Sequence, residues 1–531
     1  MKRTTVLWII ALALGWLFDF LFWKQSPGIN FAIYALACLG GGFLVLGLND
    51  NRPSWKSLLL LVPILFFATM TFVRQEPLSI FLAVAYTLAL MGILAASYLG
   101  GRWIWYSLSD YAVNYVKLAG SMIARPIIFL TERKKQKGES SEAAALSSHP
   151  GRKRLWAILR GVLIAIPILV IFAALLSSAD LVFAQRVQDF VRLFRLENLP
   201  EYIFRCIYIL VGAYALAGIF LHAAQKSRDE KLVGMDKPLV AQFLGFTEAA
   251  VVLGAVVLLF ALFAVVQFQY FFGGQTNIGV QSYTYAEYAR RGFGELVAVA
   301  FFSMLLFLGL SAAVKRPDQT QRQVFSGLGL GMLALVGVML YSAFQRLVLY
   351  EAAYGFSRLR AYTHVFMIWL GVLLVGVVVL DILRKERSFA LAALLASIGF
   401  AVSLTLLNVD GFIVRQNVTR AVAGGSLDVG YLASLSPDSV PALVIEFQNQ
   451  SLPGYTRDAV GAVLVCHGQV ASAGGSQNWR SFTLSGWWAD QALRQVQSRL
   501  DAYQILDSDW PVKVLTPGSI TYECYQNSTG D

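Results

Sequence analysis

Two stretches of this sequence gather the side chains that could do chemistry. The first runs Tyr283-Thr284-Tyr285-Ala286-Glu287-Tyr288-Ala289-Arg290-Arg291-Gly292-Phe293-Gly294-Glu295. The second runs Tyr350-Glu351-Ala352-Ala353-Tyr354-Gly355-Phe356-Ser357-Arg358-Leu359-Arg360-Ala361-Tyr362-Thr363-His364, with Arg346 one helical turn ahead of it. A guanidinium is a planar fork that fits carboxylate or phosphate and stacks on aromatic rings. Arg290, Arg291, Arg358 and Arg360 are therefore candidate ligands for an anionic group such as a lipid headgroup, and Glu287, Glu295, Arg346, Glu351 and His364 complete the candidate ligand-binding set. A plainer reading competes with this one. Tyrosines gather at membrane interfaces in any case, and nearby acids can pair the arginines off within the protein.

What positions these residues follows from composition. Of 531 residues, 57% are hydrophobic and 14% charged, with a mean hydropathy of +0.60. Soluble chains carry about 25% charged residues, so a soluble globular enzyme is excluded. A span needs about 20 mostly apolar residues. Eleven such runs lie near 5–23, 30–48, 57–73, 78–99, 155–177, 202–223, 243–271, 295–314, 324–349, 362–383 and 388–408. The first is read as a retained helix, because it is long and has no small-residue cleavage site. The fold class is thus an all-α, polytopic helical membrane protein.

Lys and Arg orient it. With the N-terminus inside, the inner segments hold 24 of them and the outer loops between spans nine. That bias predicts N-in, and an odd number of spans puts the C-terminus outside. The net charge of +11 therefore reports topology, and no nucleic-acid partner is implied. The expected organisation is a four-helix membrane segment at 1–99, then a cytoplasmic linker at 100–154 and a seven-helix core at 155–409. A small, mainly helical extracytoplasmic domain follows at 410–531. The linker opens as an interfacial amphipathic helix that Arg125-Pro126 should break, and from Thr131 a basic polar tract should be disordered.

In the last domain, Ser436-Pro437-Asp438-Ser439 predicts a helix start. Trp487 to Leu500 has helical spacing, and Val512 to Cys524 alternates like a strand or hairpin. Cys466 and Cys524 both fall there, where a disulfide is expected, whereas Cys38 and Cys206 fall in spans. No phosphate-cradling loop, zinc-type His pair or Cys-x-x-Cys occurs, so no cofactor, metal or catalytic residue is assigned. The glycines of Gly327-x-Gly329-x-Gly331 serve close helix packing. Asp19, Arg160, Arg205, Glu248 and Asp381 lie in spans but near their ends, within reach of an interface. That placement argues against a pump-type proton relay.

The stretches Tyr285 to Phe293 and Tyr354 to Arg360 with Tyr362-Thr363-His364-Val365-Phe366 resemble a bacterial polytopic membrane family known as a domain of unknown function. Asn408-Val409-Asp410, Leu427-Asp428-Val429-Gly430-Tyr431-Leu432-Ala433-Ser434-Leu435-Ser436, Asp438 and Pro441 are similar too. The resemblance spans roughly residues 155–450. It implies a bacterial inner membrane and supplies no activity, so it carries over no catalytic residue.

The reading favoured is non-enzymatic. It is transport or binding of an anionic or lipid-linked molecule at the outer leaflet, with the lipid bilayer as the constant partner. One rival is a sensory or scaffold protein acting through residues 410–531. Another is an integral-membrane transferase using Glu287 or Glu351 as base.

Overall fold

The computed structural model describes residues 3–141, 199–228, 243–272, 293–315, 318–473, 478–507 and 511–524, with isolated positions between 161 and 232. The chain is a polytopic helical protein. Among the described residues eleven helices are long and apolar enough to cross a membrane. Ten of them coincide with expected spans. The eleventh is Leu108–Glu132, the least hydropathic of the set, in the segment expected to lie on the membrane surface. The span expected at 155–177 lies outside the described residues except at isolated positions. The count therefore agrees while the membership differs.

The chain divides into two compact units. One comprises Met1–Trp23, Gly41–Asp50 and Lys117–Gln225, the other Lys24–Gly40, Asn51–Val116 and Lys226–Asp531. In the first unit, α1 (Thr4–Phe22) packs along α7 (Leu199–Gln225). A charge inside a span must find a partner, because unpaired it is expensive in lipid. Arg205 accordingly forks onto Asp19, Nε to Oδ1 at 2.8 Å, and Tyr208 donates to the same carboxylate. Trp23 covers the guanidinium at 5.0 Å and donates its indole N–H to Glu201 at 2.9 Å. The helix α6 (Leu108–Ser141) passes unbroken through Pro126 and beyond Thr131, against expectation. Proline removes one backbone hydrogen bond, and neighbouring helices can make that good. The carbonyl that Pro126 leaves without a helical donor is that of Met122, and Tyr214 donates to its neighbour, the Ile123 carbonyl.

The second unit holds α2 (Ile29–Gly47) in part, α3 (Trp55–Leu58), α4 (Leu61–Val73) and α5 (Pro77–Ser97). One expected span becomes α3 and α4, because Pro63 has no N–H for the Leu59 carbonyl. The chain tightens there, with Leu60 N–H bonded to Ser57 O at 3.1 Å. A bundle follows: α8 (Phe246–Phe272), α9 (Phe293–Ala313), α10 (Gln319–Tyr354), α11 (Arg358–Ile382) and α12 (Phe389–Leu407). Its core includes Leu253, Ala300, Phe307, Phe325, Met332 and Val336. Gly329 faces Phe307 so closely that a Cβ would stand 2.1 Å from the ring, whereas Gly327 and Gly331 meet open space. Only the middle glycine of that run serves packing.

The C-terminal part is helical with one small sheet. It holds α13 (Val409–Val422), α14 (Val429–Ala433), α15 (Val440–Gln448), α16 (Gly454–Ala473) and α17 (Leu484–Leu500). Strands β1 (Gln504–Asp507), β2 (Val512–Leu515) and β3 (Thr521–Cys524) form an antiparallel sheet in the order β1-β2-β3. Cys466 and Cys524 are joined by a disulfide with Cα atoms 6.0 Å apart, tying β3 to α16. The core of this part runs on into the span ends. Leu443, Val463 and Val514 share one cluster with Ala361 of α11 and Leu404 of α12.

Candidate functional site

The second Tyr/Arg stretch is a helical hairpin whose turn is three residues long. Helix α10 ends at Tyr354, Gly355 turns the chain at φ +81°, and α11 begins at Arg358. Only glycine fits that turn. Its φ is left-handed, and a Cβ would come within 2.6 Å of Asn417 Oδ1. Asn417 of α13 holds the turn from both sides, accepting from Phe356 N–H at 2.7 Å and donating to Phe356 O at 2.9 Å.

Arg358 and Arg360 sit two residues apart in the first turn of α11, so their side chains leave the helix in different directions. Arg358 goes to the C-terminal part of the chain. Its Nε donates to Asp410 Oδ1 at 2.7 Å and its Nη2 to Oδ2 at 2.6 Å. Asp410 is completely buried and takes a further bond from Ser436 N–H at 2.8 Å. The Arg358 backbone N–H donates to the Tyr431 hydroxyl at 2.8 Å. Asn408, at φ +49°, places Asp410 by capping α13 through Gly411 N–H at 3.0 Å.

A second knot lies beside the first. Tyr362 donates to Glu76, which caps α5 by accepting from Leu78 N–H at 2.9 Å and Ser79 N–H at 2.7 Å. Asp438 accepts from the backbone N–H of Gln75 and of Glu76, both at 2.8 Å, and Arg74 stands 3.7 Å away. Burial pushes the Asp438 carboxyl up, against the pull of the Gln75 N–H, Ser485, Arg74 and the Glu76 N–H. Arg74 also donates to the Thr405 carbonyl at 2.8 Å. Together these bonds clasp the domain to the ends of α4, α5, α11 and α12.

Arg360 goes the other way, back to α10. Its guanidinium lies 4.1 Å from the centre of the Tyr350 ring, and it donates to Gly355 O. No carboxylate among the described residues lies within ion-pair distance of it. One turn along, His364 Nε2 lies 3.0 Å from Glu351 Oε2, with the Phe344 ring stacked on the imidazole at 4.6 Å. Glu351 Oε1 and His364 Nδ1 are buried and have no hydrogen-bond partner among the described residues. Arg346 donates to Gln267 Oε1 at 2.8 Å. The arrangement sets a cation on an aromatic platform near a carboxylate–imidazole pair whose carboxylate is buried. Its guanidinium is the group able to take an anionic ligand.

The structure thus gathers Arg346, Glu351, Arg358, Arg360 and His364 on one hairpin, and separates Arg358 from the rest by its bond to Asp410. Glu295 is exposed in the first turn of α9. Glu287, Arg290 and Arg291 lie outside the described residues, as does Arg160, the partner considered for Glu248. Glu248 itself accepts from Gly245 N–H at 2.8 Å at the start of α8. Sequence reasoning did not select Asp410, Asp438, Glu76 or Tyr431 as partners. A signal was present in the Asn408-Val409-Asp410 and Leu427 to Asp438 stretches, whose capping residues form the clasp.

Residues 61–445 match a family model described as Domain of unknown function (DUF4153). No curated protein and no solved structure matches the chain.

Proposed function

The chain belongs to that family, and from this premise we propose that it is a multi-pass membrane protein binding an anionic or lipid-linked molecule at the outer leaflet. Arg360 is its central ligand. The observation that carries this reading is the contrast between neighbours. Arg358 is consumed by Asp410, whereas Arg360 rests on Tyr350 with donors to spare beside Glu351 and His364. The membrane is a bacterial inner membrane, with the N-terminus inside and residues 410–531 outside. In this topology α6 lies along the inner surface, as its low hydropathy supports.

Native mass spectrometry of the full-length protein with anionic and zwitterionic glycerophospholipids tests the proposal. Arg360→Ala removes charge-assisted bonds of about 1.5–3 kcal/mol, so retention of anionic lipid should fall roughly 10- to 100-fold. Arg360→Lys should restore part of it. Unchanged retention in Arg360→Ala would sink the proposal.

A sensory or scaffold role draws on a different observation. An open cleft of about 590 Å³ between α16, α17 and β1 is lined by Gln469, Asp490, Arg494 and Gln497. Transfer chemistry with Glu287 or Glu351 as base ranks below both, because Glu351 is bonded to His364 and has no second acid beside it among the described residues.

A further inference from the structure

We propose that Trp479, Trp487 and Trp488 seat the C-terminal domain in the headgroup layer of the bilayer that its own spans cross. These side chains are 56%, 48% and 41% exposed. Their level is fixed by bonds to the span ends. Phe482 O accepts from Ile29 N–H at 3.0 Å at the start of α2, and Ser481 donates to Gln25 at 3.0 Å. Gln75, between α4 and α5, donates to Thr483 Oγ1 at 2.6 Å. Thr483 then caps α17 through Gly486 N–H at 3.3 Å.

A helix advances about 1.5 Å per residue. Trp487 and Trp488 therefore lie at most about 6–8 Å along the helix from Thr483, whatever direction α17 takes. The interfacial layer on each side of the hydrocarbon is about 5–8 Å thick, which matches that reach. Indole rings prefer this layer because their apolar bodies leave water while the N–H stays hydrated.

The rest of α17 agrees. Its inward stripe is Ser485, Ala489, Ala492, Leu493, Val496 and Leu500. Beyond the tryptophans its exposed positions are Asp490, Gln491, Arg494, Gln495, Gln497, Ser498 and Arg499, all polar. The aromatic surface is confined to the end beside the spans, as a helix leaving a lipid surface requires. The occupant is lipid headgroup, because the segment that carries the tryptophans is bonded to Gln25, Ile29 and Gln75, which stand at the ends of helices long and apolar enough to span a bilayer. The inference does not depend on Arg360.

The test is depth-resolved quenching of tryptophan emission with the full-length chain in nanodiscs. The difference between the natural chain and W479F/W487F/W488F isolates the emission of these three rings, and phenylalanine keeps the aromatic bulk. Single substitutions give the same differences one at a time should the triple variant fail to fold. Lipid spin-labelled near the headgroup should quench this difference emission about twofold more than aqueous iodide or mid-chain label. Iodide quenching equal to or above that of the shallow label overturns the proposal, and so does strongest quenching by the mid-chain label.

Discussion

The hairpin of α10 and α11 holds two charged constellations a few residues apart, and they are built on opposite terms. In the clasp, Arg358, Asp410, Tyr431 and Ser436 satisfy one another, and the carboxylate has no solvent exposure. In the Arg360 set, among the described residues, the guanidinium has an aromatic ring and one carbonyl, and Glu351 and His364 each retain a buried atom with no partner. Desolvating a charge costs several kcal/mol, so a fold that buries one normally completes its bonds. The clasp does so and thereby ties the C-terminal part to the ends of the long helices. Among the described residues the Arg360 set does not, and unsatisfied buried atoms call for an explanation. Two arginines in the same motif thus differ because, among the described residues, one finds a buried carboxylate and the other does not.

The sharpest way to break this contrast is Arg358→Ala, which leaves Asp410 buried and unpaired. It should cost about 3–5 kcal/mol in thermal unfolding of the purified protein, while R358M with D410L recovers most of that. A melt unchanged by Arg358→Ala would show that the clasp does not hold the domain.

Acidification tests the same side. Burial holds the His467 imidazole down at about 4, opposed by a bond with the Leu432 backbone and by Asp410. Its folded pKa lies below the unfolded value of about 6.5, so its contribution is complete above that pH and is lost as pH falls toward 4. Asp438, whose pKa is raised, has the opposite sign. It favours the folded state at low pH and loses that contribution as pH rises through its folded pKa. Melting temperature should fall from pH 6.5 toward 4 in the natural chain and fall less in His467→Gln. Parallel curves for the two proteins would remove His467 as the cause.

Tyr431→Phe deletes the hydroxyl that accepts the Arg358 N–H and should cost about 1 kcal/mol in the same melt. The smallest effect belongs to the Arg360 set. Arg360→Ala should stay within about 1 kcal/mol of the natural chain in stability, even as lipid retention falls. A stability loss as large as that of Arg358→Ala would erase the distinction between the two constellations.

Much of this architecture was legible in the residues. Ten spans stand where apolar runs lie, and Ser436-Pro437-Asp438 opens a short helix with Ser436 as its cap. Other features were less legible. Pro63 divides one span while α6 continues through Pro126. The Tyr350 to His364 stretch reads as an outer loop because its polar residues interrupt the hydropathy, yet nearly all of it is helix.

By itself the sequence determined that these helices belong in a bilayer, because transfer of apolar side chains is a sum over local residues. It also determined several caps, since an Asn, Asp or Ser at a helix start acts on the next three residues. Only the tertiary structure decided which arginine is spent and which remains available. Arg358 and Asp410 are 52 residues apart, and Tyr362 and Glu76 are 286 apart. Ion pairs and hydrogen bonds act over about 3 Å, and their strength depends on how completely water is excluded. Neither condition is written at any one position of the chain.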